Sequence, residues 1–237
     1  MNYNKIFSDF QNIKFKNVNF FYKNRTKKNL IDINLDISRN DIVGIVGPSG
    51  SGKSTLVNLL LGLLIPSSGS IEADNVGINS SIINWRSCIG YVPQSIFLLN
   101  ESLKNNIAFG VPDENISTSK LMECIRQSQL ETFFSDLPNG LLTKLGERGT
   151  KISGGELQRI GIARALYFDP NILIFDESTS ALDHETEQKL LDEIYNFKNN
   201  KTIIFITHRN STLKYCNKIY KINEGSLSLL NNENTKI

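Results

Sequence analysis

The run Gly47-Pro48-Ser49-Gly50-Ser51-Gly52-Lys53-Ser54-Thr55 follows the pattern G-x-x-x-x-G-K-[ST], in which each residue type has a chemical reason to be present. Gly47, Gly50 and Gly52, with Ser49 and Ser51 between them, let the backbone curl until several N–H groups point inward. That makes a nest for an anion at a helix start. Lys53 can reach the β- and γ-phosphates of a nucleotide, and the Ser54 hydroxyl can ligate Mg2+. Thr55 can help cap the helix that follows. Such a cradle specifies a nucleotide phosphate and nothing narrower.

Two further clusters extend the chemistry. Ile172-Leu173-Ile174-Phe175-Asp176-Glu177 is a short apolar run ending in two carboxylates. Asp176 suits a direct or water-mediated hold on Mg2+. Glu177 projects differently and can take a proton from an attacking water, a role worth typically about 10²–10⁴-fold. Capping the next helix is the plainer use of the same two acids. Upstream, Ser153-Gly154-Gly155-Glu156 opens a helical run, again offering N–H groups and a positive dipole end to an anion. One domain with one nucleotide has no need of two such helix starts. A symmetric dimer, in which each Ser-Gly-Gly turn closes over the phosphate held by its partner, resolves the surplus.

Elements must place these groups. Ile42–Val46, Ile172–Phe175 and Ile203–Ile206 are unbroken β-branched-rich runs, as expected of strands buried on both faces of a parallel sheet. Helical patterns over Lys53–Leu64 and Glu185–Phe197 follow the first two, so the core reads as α/β. Ile13–Tyr22 and Leu30–Ile37 alternate and predict half-exposed antiparallel strands, with Leu30, Asp32, Asn34 and Asp36 facing away from Ile31, Ile33, Leu35 and Ile37. From Ser117 to Phe134 the pattern is helical, and no strand is expected before Asn171. The fold class expected is therefore an α/β P-loop core with an N-terminal antiparallel β subdomain and an inserted helical subdomain. The boundaries expected are 1–98 and 168–237 for the first two and 99–167 for the last.

Composition narrows the partners. A net charge of +2 over 237 residues supplies no basic field, so nucleic acid is not expected as a partner. Three scattered cysteines, Cys88, Cys124 and Cys216, predict free thiols rather than a disulfide framework or a metal site. The longest apolar stretch, Leu56–Ile65, is too short to span a bilayer.

On the Ser153-Gly154-Gly155 turn just ahead of the Asp176-Glu177 strand, together with the phosphate cradle, the chain resembles the ATPase domains of ABC transporters over nearly its whole length. The resemblance implies binding and hydrolysis of Mg-ATP by a head-to-tail homodimer. It also implies an adenine-stacking role for Tyr22 and, for Gln94, a contact to Mg2+ and water reported to a membrane domain. By the same resemblance Ser180-Ala181-Leu182-Asp183 crosses the dimer interface and His208 contacts the γ-phosphate. His184, the other histidine, is expected on the surface. Thr143–Gly149 and Phe97–Ile107 resemble segments that exporters use against their membrane domains.

The resemblance then implies a transmembrane partner, fused upstream or separate, and a place at the cytoplasmic face of the inner or plasma membrane. A soluble ABC clamp in DNA repair or translation is the competing reading. It lacks support in the near-neutral charge and in the want of a coiled-coil insertion. Three positions depart from the family pattern: Glu156 stands where glutamine is usual, Ile152 where leucine is usual, and Asp41 where a turn glycine is frequent. Acid at 156 is expected to cost phosphate affinity, and Asp41 to alter the turn into the first core strand.

Overall fold

The computed structural model describes residues 7, 9–23, 29–146, 152–178 and 182–230. In chain order the elements begin with strands β1 (Asn12–Phe20), β2 (Leu30–Ser38) and β3 (Ile42–Val46), helix α1 (Lys53–Leu60), strands β4 (Ser68–Ala73) and β5 (Val76–Gly77), helix α2 (Ile82–Ser87) and strand β6 (Ile89–Val92). Helices α3 (Leu103–Ile107), α4 (Thr118–Gln127), α5 (Glu131–Ser135) and α6 (Gly154–Leu166) follow. The chain continues through β7 (Ile172–Asp176), α7 (His184–Asn196), β8 (Thr202–Ile206), α8 (Asn210–Leu213), β9 (Lys218–Asn223) and β10 (Ser226–Leu230).

Two sheets result, one antiparallel in the order β2-β1-β4-β5 and one mixed in the order β10-β9-β3-β8-β7-β6. Strand β3 runs parallel to both β8 and β9, while β9 and β10 form an antiparallel hairpin. Every residue of β3 and β8 is buried, as continuous apolar runs require. The mixed α/β fold expected from the sequence is the one present.

The chain forms two compact units, one of residues 1–89, 171–174 and 198–237, the other of residues 90–170 and 175–197. In the first, the β2 alternation slips. Leu30 is buried and Ile31 is exposed, the reverse of the expected facing. Asp32 and Asn17 both take positive φ, 47° and 48°, and the Asn17 amide donates to Asp32 Oδ1 at 2.9 Å. This paired bulge shifts the register between Val18 and Phe20 and turns the start of β2 over.

Helix α1 ends at Leu60, four residues short of the expected Leu64, because Gly62 turns left-handed at φ 64°. Its last carbonyls are capped from α2: Trp85 Nε1 donates to Leu60 O at 2.6 Å, and Arg86 donates to Leu61 O and Gly62 O at 3.2 and 2.6 Å. Phe7, buried, sets its ring edge-on to Trp85 at 5.4 Å.

Asp41 does not need to be glycine, because Asn40 takes the left-handed turn at φ 65°. The Asp41 carboxylate is instead a hub. It accepts from Ser38 N and Asn217 Nδ2 and pairs with Lys218 Nζ, all at 2.7 Å. Its backbone carbonyl accepts from Ile203 N at 2.9 Å, and Asn217 Oδ1 accepts from Ile42 N at 2.7 Å. One side chain thus knits together β2, β3 and β9.

In the second unit the helical run divides into α4 and α5, separated where Gln129 takes φ 58°. No strand lies between β6 and β7 among the described residues; Ser102 and Lys144 form an isolated bridge. Fully buried Asn106 fixes the 97–106 stretch by donating to the carbonyls of Leu99, Glu101 and Ser102 and accepting from Leu99 N. Helix α6 comes so close to Ile96 that a Cβ on Gly161 would stand 2.4 Å from its Cδ1. Across both units the three cysteines are free of disulfides, and burial pushes the Cys124 and Cys216 thiols up to about 12.

Candidate functional site

In the first unit, the cradle joins β3 to α1. Gly52, at φ 117°, is the N-cap residue, and no side chain caps the helix, so Thr55 is a buried core residue rather than a cap. Gly50, at φ 76°, has nothing within 4 Å of where a Cβ would stand, leaving the loop open on that side. Lys53 is only 8% exposed, and its ammonium donates to Gly47 O and Pro48 O at 2.7 and 3.0 Å. A cation held by carbonyl dipoles at the mouth of a helix N-terminus fits a phosphate chain. Ser49 and Ser54 are exposed, while Ser51 is buried with an unbonded hydroxyl.

Tyr22 is half-buried just beyond β1, its ring edge-on to Phe20 at 4.9 Å. His208 is exposed just after β8, next to buried Thr207, whose hydroxyl accepts from Arg209 N at 3.0 Å.

In the second unit, Asp176 and Glu177 stand at the C-terminal end of β7. Neither caps the next helix; Asp183 does that, accepting from Thr186 N at 3.0 Å. Asp176 Oδ2 accepts from the Tyr91 hydroxyl at 3.1 Å, and Glu177 Oε2 accepts from Gln94 Nε2 at 2.9 Å. Burial, and then the Asp176 charge, hold the Tyr91 phenol well above its ordinary range, so it stays a donor at any working pH. Glu177 sits at φ 49°, a left-handed conformation that a non-glycine residue adopts at a cost of about 1–3 kcal/mol. Strain of this kind re-aims a carboxylate away from the path of its strand. The sequence had singled out Gln94 and Glu177, and the fold brings them into contact.

Ser153 is the N-cap of α6, with Gly154, Gly155 and Glu156 in its first turn. Ser153 N and Oγ both donate to Glu156 Oε2, at 2.7 and 2.8 Å, and Ser153 Oγ accepts from Glu156 N at 3.3 Å. This is a complete capping box. The Ser153 donors available to an anion are thus held by the chain's own carboxylate.

Two features escaped the sequence reading. The capping box was visible as S-x-x-E at 153–156, and Tyr91 had no signal beyond its place in a strand. Ser180-Ala181 and Glu147–Gly149 lie outside the described residues. His184 is exposed at the start of α7. No described helix is long and apolar enough to cross a membrane.

Comparison with known proteins places the chain in a family. The ABC transporter family model matches residues 30–180. The chain is 43% identical over 217 residues to the alpha-hemolysin translocation ATP-binding protein HlyB of Escherichia coli O157:H7, which covers 91% of this chain and 30% of that protein. It is 41% identical over 216 residues to the leukotoxin export ATP-binding protein LtxB of Aggregatibacter actinomycetemcomitans, again 91% of this chain and 30% of the relative. The structure of a bacterial Atm1-family ABC exporter with ATP bound superposes with a TM-score of 0.86 at 37% identity, over 93% of this chain and 38% of that one. The chain thus spans about 30% of the length of these two curated relatives. With the family model matched across the cradle, the Ser153-Gly154-Gly155 signature turn and the carboxylate strand, this chain belongs to the ABC transporter ATPase family.

Proposed function

We propose that this chain binds and hydrolyses Mg-ATP as one half of a head-to-tail homodimer and thereby drives export through a membrane domain. Glu177 carries the reading: a strained carboxylate beyond a buried strand, held by the Gln94 amide, is the group that removes a proton from the attacking water. Lys53 and backbone N–H groups of the cradle hold the β- and γ-phosphates, and Tyr22 stacks on adenine. The Ser153 turn of the partner copy and His208 meet the γ-phosphate. Ser54, Gln94 and Asp176 would each offer Mg2+ an oxygen donor, the kind the ion prefers. When bound, the ion neutralises charge on the phosphate oxygens. Positioning and charge neutralisation then supply most of the rate.

The names of the translocation relatives support export as the work done, at the cytoplasmic face of an inner membrane, with the membrane domain supplied by the same or another chain. Glu177→Gln tests the reading. ATP binding should persist while turnover falls about 100-fold or more. Wild-type turnover in that variant would remove Glu177 as the base, and undiminished ATP affinity in Lys53→Ala would remove the cradle.

A further inference from the structure

The β9–β10 turn and Asn29 meet against the cradle. Gly225, at φ 81°, donates its N–H to Ser51 O at 3.1 Å, inside the cradle. Its carbonyl accepts from Ile31 N at 2.8 Å, at the start of β2. A Cβ on Gly225 would stand 2.8 Å from the Asn29 carbonyl, and one on Gly52 would stand 3.0 Å from the same oxygen. Asn29 in turn bonds to the segment that carries the stacking tyrosine. Its N–H donates to Phe20 O at 3.0 Å, and its side-chain oxygen accepts from Tyr22 N at 3.4 Å. Gly47 is close-packed too, since a Cβ there would lie 2.2 Å from Ile222 O in β9.

Base side and phosphate side are therefore joined through one backbone junction with no room for an added methyl. We propose that Asn29 and Gly225 are positioning residues that fix the distance from the Tyr22 ring to the phosphate cradle, so that the junction sets how much adenine adds to nucleotide affinity. The inference rests on the stacking role given to Tyr22 above. Two glycines with positive φ abut a single carbonyl, and one of them is bonded to the cradle itself. A shift at either moves the Tyr22 loop against Ser51 and Gly52.

The test compares Mg-ADP with Mg-pyrophosphate, which shares the cradle but has no base, by calorimetry on the intact chain. Tyr22→Ala should cut ADP affinity about tenfold and leave pyrophosphate unchanged; if it does not, the stacking role falls and this inference with it. Given that result, Gly225→Ala should weaken ADP about tenfold with less than a twofold change for pyrophosphate. Asn29→Ala, which leaves the cradle backbone untouched, should weaken ADP about threefold, and Asn29→Asp, which retains the acceptor for Tyr22 N–H, should restore it. Equal losses for both ligands, or no loss in either the Gly225 or the Asn29 variant, would overturn the proposal while leaving the Tyr22 assignment standing.

Discussion

Replacing Asp41 by alanine should destabilise the chain by about 3 kcal/mol. The carboxylate is buried beside a Lys218 side chain that is 29% exposed, and it accepts from Ser38 N and Asn217 Nδ2 as well. Breaking a fully buried pair costs roughly 3–5 kcal/mol, and a hydrogen bond to a charged group is worth about 1.5–3. Because Lys218 regains water when its partner leaves, the low end of that range applies. At about 2–4 °C per kcal/mol for a chain of this size, the melting temperature should fall about 6–12 °C.

The pH dependence follows from the carboxyl. Burial alone would raise its pKa, but hydrogen bonds from Lys218, Asn217 and Ser38 outweigh burial and hold it below the ordinary carboxylate value. A group depressed in the folded state stabilises above its unfolded pKa of about 3.9 and loses that contribution as pH falls through the folded value. The gap between wild type and Asp41→Ala in urea unfolding should therefore be constant from about pH 8 to 5 and shrink below about pH 4. Asp41→Asn, which keeps one acceptor, should lose about half as much. A loss under about 0.5 kcal/mol at pH 7, or a gap that persists undiminished to pH 2, would refute the hub.

Tyr91→Phe removes the hydroxyl that orients Asp176 at 3.1 Å, and a bond of this length should cost about tenfold in kcat/KM with a raised Mg2+ requirement; a magnesium titration of turnover checks it. Glu156→Gln keeps the shape of the capping box but removes the charge that holds the Ser153 amide and hydroxyl, so unfolding free energy should stay within about 0.5 kcal/mol while half-saturating ATP for turnover falls several-fold. Arg164→Ala deletes donors to Asn106 O at 2.8 Å and Phe97 O at 3.0 Å and a stacking contact on Phe109, and should cost about 2 kcal/mol by thermal unfolding.

The most local parts of the fold were the most legible. Fully buried β3 and β8, and β7 up to Phe175, declare themselves as apolar runs, because a strand covered on both faces has no polar side to alternate with. The β9–β10 hairpin went unseen although Asn223-Glu224-Gly225 carries the turn: Glu224 takes φ 46°, which its residue type does not announce. The reversed facing of Leu30 and Ile31 was equally hidden, since it follows from Asn17 bonding to Asp32 across two strands. At the site, the cradle, the Asp176-Glu177 pair and the Ser153 turn stood out by residue type and spacing, whereas Tyr22, Gln94 and His208 entered only through the family resemblance. The Tyr91–Asp176 and Gln94–Glu177 bonds join positions more than eighty residues apart, and only the folded chain brings them together.

In the proposed dimer, two helix starts on different copies of the chain grip one triphosphate. Cysteines placed at Ser49 in the cradle and at Gly154 in the signature turn, with Glu177→Gln blocking hydrolysis and Cys216→Ser removing the half-buried thiol, can be joined by a short bifunctional reagent. With ATP the product should have twice the chain mass, and with ADP it should not form. A link within a single chain, or doubling that ignores ATP, would contradict the shared triphosphate site.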